Sequence, residues 1–440
     1  MGLRAGIAVG IVAGIAGCDC YGIRRAPSGI AEAGAGPDSG ALADASDESH
    51  GRDAGDAPPD PDGGTAADAA VPGDLDGDGH AGVESGGADC DDADPEVHPF
   101  ADEREEWTTE VVDEDGGQYT SIALAADGTV HITYYDKEDG ALRHAFGESG
   151  GWTRETVDDD SAGAWNSLAL DATGALHVTY STPRDPELRY ATNVTGSWQR
   201  QILERAGNAG PWSSIAIDAD GRVHVAFQYS SSGDLGFATN ASGPWTFETV
   251  DWFGWKGSYA ALGLSADGSA HIAYLETGFG GAEDASVLHA TNASGDWTTE
   301  EIEAHGGAPA IGIGDDGVVH VVFADRDDGL TIADDGAGAW EVGASSGLAT
   351  VRNDLAVAAQ GLHVVSEEAG ADFDVWQDVV YSTYGSAWSR TRIDRGLYPS
   401  IALGDDGALH VAYWNRHLDE LMYARRDLPD GVDQDCNGVD

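Results

Sequence analysis

Between residues 104 and 426 apolar and polar positions alternate in short runs. One unit reads Ser121-Ile122-Ala123-Leu124, then Val130-His131-Ile132-Thr133-Tyr134, then Leu142-Arg143-His144-Ala145, then Trp152 through Asp158. A period of two over four to eight residues predicts half-buried strands. Asp-Gly and Asn-x-Ser/Thr-Gly turns separate the runs. The unit repeats. Its His recurs as His131, His177, His224, His271, His320, His363 and His410, at spacings of 46, 47, 47, 49, 43 and 47. Its Trp recurs as Trp107, Trp152, Trp198, Trp245, Trp297, Trp340 and Trp388. Seven units of four strands at a period of 40–50 residues predict an all-β chain, a seven-bladed β-propeller over 104–426.

The phase of the repeat carries a further expectation. Trp107 to Asp113 precede the first full unit, and the last unit stops at Tyr423-Ala424-Arg425 without its Trp strand. Residues 107–113 are therefore expected to supply the outer strand of the last blade and close the ring, which removes an exposed sheet edge.

Charge narrows the partners. Lys+Arg is 22 and Asp+Glu is 78, so 22 − 78 = −56. Such a polyanion repels phosphates, which excludes nucleic acid, while clustered carboxylates suit divalent cations. A hydrophobic share of 41% with 13 Trp excludes wholesale disorder.

The N-terminus reads as an address. Residues 1–17 carry Arg4 and an apolar run from Ala5 to Ala16, too short to span a membrane. Ile15-Ala16-Gly17-Cys18 resembles the bacterial lipoprotein lipobox. The resemblance implies a signal peptide over 1–17, cleavage before Cys18, lipid on Cys18, and an exported, membrane-anchored lipoprotein of the periplasm or cell surface. Residues 18–72 are rich in Ala, Gly, Pro and Asp without periodicity, and predict a disordered tether.

Two acidic segments flank the propeller, at 73–103 and 427–440. The first holds Asp74, Asp76 and Asp78, then Asp89-Cys90-Asp91 and Asp94; the second holds Asp433, Asp435, Cys436, Asn437 and Asp440. Alternate carboxylates with Gly at the turn fold back around an oxygen-seeking cation. Asp74, Asp76 and Asp78 match positions 1, 3 and 5 of an EF-hand-like loop, but position 12 is Ser85, with Glu84 one place early. Together the segments resemble the MopE-type metal-binding motif of bacterial surface proteins and thrombospondin type 3 calcium repeats. Here the whole propeller is inserted between the two halves, and Pro429 stands where that motif usually carries a further Cys. The resemblance implies a small irregular clasp that binds calcium through Asp74, Asp76, Asp78, Asp89, Asp91, Asp94, Asp433, Asp435, Asn437 and Asp440. Cys90 and Cys436 are expected to meet where the propeller closes and to form a disulfide in an oxidising compartment. Chain-entropy models put its ceiling at roughly 5–6 kcal/mol.

Within the repeat, the seven His and the seven Trp read as blade-packing residues. Asn193, Asn240 and Asn292 match glycosylation acceptors, but local Asx-turn bonding explains them better. A third register varies: Tyr119, Trp165, Trp212, Tyr259 and Tyr398 stand just before the innermost strands, and Ala308 and Arg352 break the series. They fall near the mouth of the central channel, where aromatic rings stack on sugars or wedge adjacent blades. Loops on that face differ in length: residues 252–257 add Trp252, Trp255 and Lys256, the segment 276–286 adds Phe279, and 366–378 adds Phe373 and Trp376. Loop variation on one face is how propellers build binding sites. The expected patch is Trp252, Trp255, Lys256 and Phe279.

These features point to a monomeric cell-envelope binding module that recognises carbohydrate or an envelope protein, with a structural envelope component as one alternative. Another is a polysaccharide-acting hydrolase or lyase. The Asp-x-x-Gly and Gly-x-Trp repeats resemble sialidase/BNR-type propellers, but that family's Arg-Ile-Pro motif and Ser-x-Asp-x-Gly-x-x-Trp box are absent. For such chemistry Arg184, Arg326, Arg352 and Arg416 are the candidate cations, with Asp185 and Glu420 as nearby acids. No constellation among them singles itself out.

Overall fold

A computed structural model describes residues 107–428, apart from 184–186, 205–211, 278–284, 327–328, 344, 348–349, 359–360, 369–376 and 385–387. The tether, the clasp carboxylates, Cys18, Cys90, Cys436, Arg184, Asp185, Phe279, Phe373 and Trp376 lie outside the described residues.

The described residues form 28 strands in seven four-stranded antiparallel sheets. In the first complete blade β2 (Gln118–Leu124), β3 (Val130–Asp136), β4 (Ala141–Gly147) and β5 (Thr153–Asp158) pair in sequence order. The turns follow from local chemistry. Gly128 takes φ 85° and donates its N–H to Ala125 O, while the Asp127 carboxylate accepts the Thr129 N–H at 3.0 Å.

The innermost strands are β2, β6 (Ala164–Leu170), β10 (Ser214–Ile217), β14 (Lys256–Leu264), β18 (Gly306–Ile313), β22 (Thr350–Ala358) and β26 (Leu397–Leu403). Each touches the next in cyclic order, and β26 returns to β2. The chain is thus a seven-bladed propeller. β1 (Thr108–Asp113) pairs with β28 (Glu420–Asp427) in the register Thr108↔Arg425 and Glu110↔Tyr423, so the seventh blade draws its outer strand from the other end of the repeat.

The core is a set of layers between blades. One layer joins Leu235 and Phe237 of the third blade to Leu262, Ile272 and Tyr274 of the fourth, each fully buried large side chain contributing about 1.5–3 kcal/mol. Polar bonds give the seams their register. Buried tyrosines Tyr180, Tyr274 and Tyr413 donate to Asp158, Asp251 and Asp394 of the preceding blade at 2.8, 2.7 and 2.9 Å. Ser121 Oγ, Ser167 Oγ and Ser214 Oγ accept the N–H of Leu168, Ile215 and Leu262 from the next inner strand. At the sixth seam Asp354 takes the serine's place and accepts the Ile401 N–H at 2.8 Å.

The register Trp packs edge-on against the third-strand residue of the blade before it: Trp152 on Tyr423, Trp198 on His144, Trp245 on Tyr190, Trp297 on Phe237, Trp340 on His289 and Trp107 on Tyr381. The register His bonds within its own blade, as in His177 with Tyr190 and His410 with Tyr423. The Asn side chains correct one expectation. Asn193, Asn240 and Asn292 send their side chains out of their own turns: each Oδ1 accepts the first N–H of the blade's second strand, at 2.7–2.8 Å.

Candidate functional site

The varied aromatic register forms a ring at one end of the inner strands. Its members share an unusual backbone. Tyr119, Trp165, Trp212, Tyr259, Ala308 and Tyr398 have φ of 56°, 49°, 67°, 54°, 43° and 55°. Left-handed backbone at a bulky residue costs about 1–3 kcal/mol and persists only where its surroundings enforce it. Pairing slips at this point, between Gln118 and Ser121, Ala164 and Ser167, and Leu397 and Ser400. Each slip is a bulge, which re-aims the side chain. The neighbouring blade holds the bulge in place. Asn166 Nδ2 donates to Tyr119 O at 2.6 Å, Asn353 Nδ2 to Ala308 O at 3.0 Å, and Thr120 Oγ1 to Tyr398 O.

The ring side chains pack on one another. Tyr119 lies 4.6 Å from Tyr398 and 5.2 Å from Trp165, centroid to centroid, and Trp212 stacks on Tyr259 at 5.0 Å. The Arg352 guanidinium sits 4.4 Å from the Tyr398 ring centre. Arg352 and Glu367 are both buried and bond at 2.7 Å. Burial works against the Arg352 charge, yet Glu367 holds its pKa above the ordinary value. Exposure divides the ring. Trp165 is 6% and Tyr398 4% exposed, while Tyr119, Trp212 and Tyr259 are half-buried. Trp165 and Tyr398 lie in one buried cluster against which Tyr119 and Trp212 pack, so the accessible aromatic surface of the ring belongs to Tyr119, Trp212 and Tyr259.

The loop before β14 is different in kind. Trp252 is 67%, Phe253 80% and Trp255 42% exposed. It leads into an inner strand and so stands on the same face as the ring. Lys256 is held by Asp251 at 2.9 Å and Glu276 at 3.3 Å. Burial works against its charge, but the two carboxylates raise its pKa above the ordinary value. Phe253 is the residue that pattern reasoning missed. It lies inside the Trp252–Lys256 run, where Phe253 and Trp255 both have left-handed φ values that no sequence pattern signals.

A cavity of about 410 Å³ opens beside the first blade, where Asp113, Asp136 and Asp139 meet Arg143 and Arg154. Its lining carries six carboxylates against two guanidiniums, with Arg154 on Asp113 at 2.6 Å and Arg143 on Asp136 at 3.1 Å. Among the described residues no cluster of three His, Cys, Asp or Glu is placed to hold a metal ion. Of the candidate arginines, Arg352 is committed to Glu367.

No family model and no curated protein matches the chain. Solved structures do. AofleA from Arthrobotrys oligospora is 13% identical, with a TM-score of 0.45 over 68% of this chain and 92% of that one. An ulvan lyase from a new polysaccharide lyase family is 12% identical, with a TM-score of 0.49 over 71% of this chain and 94% of that one. The six-bladed, fucose-recognising Aleuria aurantia lectin is 14% identical, with a TM-score of 0.39 over 60% of this chain and 95% of that one. These likenesses are of fold alone.

Proposed function

We propose that the protein is an exported, lipid-anchored binding module whose propeller recognises carbohydrate through the face that carries the aromatic ring and the 252–257 loop. The observation that carries this reading is the exposure of Trp252, Phe253 and Trp255 together on one loop. Exposed aromatics grouped on a rigid scaffold mark a recognition surface. The test is a glycan array probed with the full chain, first with calcium and then with EDTA. Saturable binding to one saccharide class supports the reading; a blank array together with specific retention of an envelope protein overturns it.

The second reading is a polysaccharide-acting hydrolase or lyase. It has one observation in its favour, the cavity where carboxylates meet Arg143 and Arg154. Release of shortened saccharide in the same wells would establish it.

The flanks belong to the proposal. Cys18 carries the lipid. Asp74, Asp76, Asp78, Asp89, Asp91, Asp94, Asp433, Asp435, Asn437 and Asp440 hold calcium, and Cys90 bonds Cys436. Its support is the β1–β28 pairing, which starts both flanks from neighbouring points of the propeller. Calcium then raises the melting temperature and EDTA lowers it. A non-reduced digest yields a peptide joining Cys90 to Cys436; free thiols at both positions contradict the clasp.

A further inference from the structure

We infer that the 252–257 loop is a preformed stacking platform for neutral saccharides and discriminates against acidic ones; this rests on the carbohydrate reading and narrows it. The backbone is fixed before any ligand arrives. Phe253, Gly254, Trp255 and Gly257 all lie in the left-handed region, at φ 73°, 110°, 61° and 88°. Two close approaches hold it there. A Cβ on Gly233 would meet Trp255 Cδ2 at 2.7 Å, so the Trp255 ring lies directly on that backbone. A Cβ on Gly257 would meet Leu235 Cα at 2.8 Å. Thr277 N–H donates to Trp255 O at 3.1 Å, and Lys256 pins the loop's end to Asp251 and Glu276.

The parts take separate roles. Trp255 is a positioning residue, packed below. Trp252 and Phe253, consecutive and the most exposed of the described large apolar residues, present the rings. Aromatic faces are electron-rich, which favours the apolar C–H faces of a pyranose. Preorganisation of this kind lowers the entropy a ligand must give up on binding.

Charge sets the class. The loop's one cation, Lys256, is already spent on two carboxylates, leaving Lys256, Asp251 and Glu276 at a combined −1. The chain as a whole carries −56. A uronate or sulfate ester would meet repulsion here and no uncommitted cation in the loop, whereas a neutral sugar meets neither penalty.

The experiment is affinity electrophoresis of the full chain in gels holding dextran, xylan, galactan or mannan, against gels holding alginate, pectate or heparin. Retardation is expected in at least one neutral gel and in no acidic one. It should persist from about 0.01 M to about 1 M salt, over which the Debye length falls from ~30 Å to ~3 Å. Trp252→Ala with Phe253→Ala should weaken it roughly tenfold or more at an unchanged melting temperature. Retardation confined to acidic gels, or lost at high salt, overturns the neutral class while leaving the carbohydrate reading intact. Retention of neutral binding by the double variant overturns the platform. A lack of retardation in every gel overturns both.

Discussion

Trp198 donates its indole N–H to Glu155 of the preceding blade at 2.8 Å, and the same carboxylate bonds His144 at 3.0 Å. His144 bonds His131 in turn at 3.0 Å. One surface carboxylate thus ties the seam to the blade interior, and its pKa is lowered, first by the His144 hydrogen bond. The motif recurs at Trp152–Glu110, Trp297–Glu248 and Trp340–Glu300. Glu155→Ala should lower stability by about 1–2 kcal/mol. Glu155→Gln keeps an acceptor for Trp198 and should cost less. Urea midpoints compare the two, and equal losses would contradict the role of that acceptor.

Histidines packed within the blades set an acid limit. Burial is the first cause that brings His131, His271, His363 and His410 down to about 4 from an ordinary 6.5. Above pH 6.5 these groups are neutral in folded and unfolded chains and contribute no slope. Between about 6.5 and 4 the unfolded chain takes protons that the folded chain refuses, so stability falls with pH, by up to about 3 kcal/mol per histidine. Asp158, Asp171 and Asp218 have lowered pKa values and so act in a more acidic window. A urea midpoint that declines between about pH 6.5 and pH 5 matches the histidines; a flat midpoint there contradicts them.

Glycines before the ring admit no side chain. Gly163 has φ 126°, and a Cβ there would meet Leu142 Cα at 2.8 Å. Gly117 meets Leu421 Cα at 2.9 Å in the same way. Gly163→Ala adds backbone strain to a backbone clash and should cost about 2–4 kcal/mol. Gly174→Ala is the control. It shares a positive φ but has nothing within 4 Å of the added Cβ, and should cost about 1–2 kcal/mol. Thermal melts of both variants give the comparison.

The Arg352–Glu367 pair should behave as a buried ion pair. Arg352→Met leaves the Glu367 carboxylate buried without its cation, at a cost of about 3–5 kcal/mol. Adding Glu367→Gln removes that charge and should recover much of the loss. Denaturant melts of single and double variants measure the coupling, and additive losses would contradict it.

The fold was legible because each blade repeats one packing solution. A His on the second strand and a Trp at the outer turn recur wherever a blade meets its neighbour, and the missing final Trp strand pointed to residues 107–113. The ring's position was legible for the same reason. Its division was not. Tyr119 and Tyr398 are the same residue at the same register, yet Tyr398 is buried beneath Arg352 and beside Trp414 while Tyr119 is half-buried. That difference comes from Arg352, one blade away, and from Trp414 on the adjacent strand of the same blade. The left-handed backbone was equally hidden, since a Trp carries no sign that its φ is positive. Asn193 read as a turn residue because its bond to Leu176, 17 residues back, has no local signal.

Hydroxyl-radical footprinting of the full chain tests the central claim most directly, once a bound saccharide is in hand. Adding the saccharide should protect Trp252 and Phe253 from oxidation. It should leave Trp297 and Trp340 unchanged, because they stand at turns on the opposite face. Protection of Trp297 or Trp340 with no change at Trp252 and Phe253 would contradict a recognition face built on this loop.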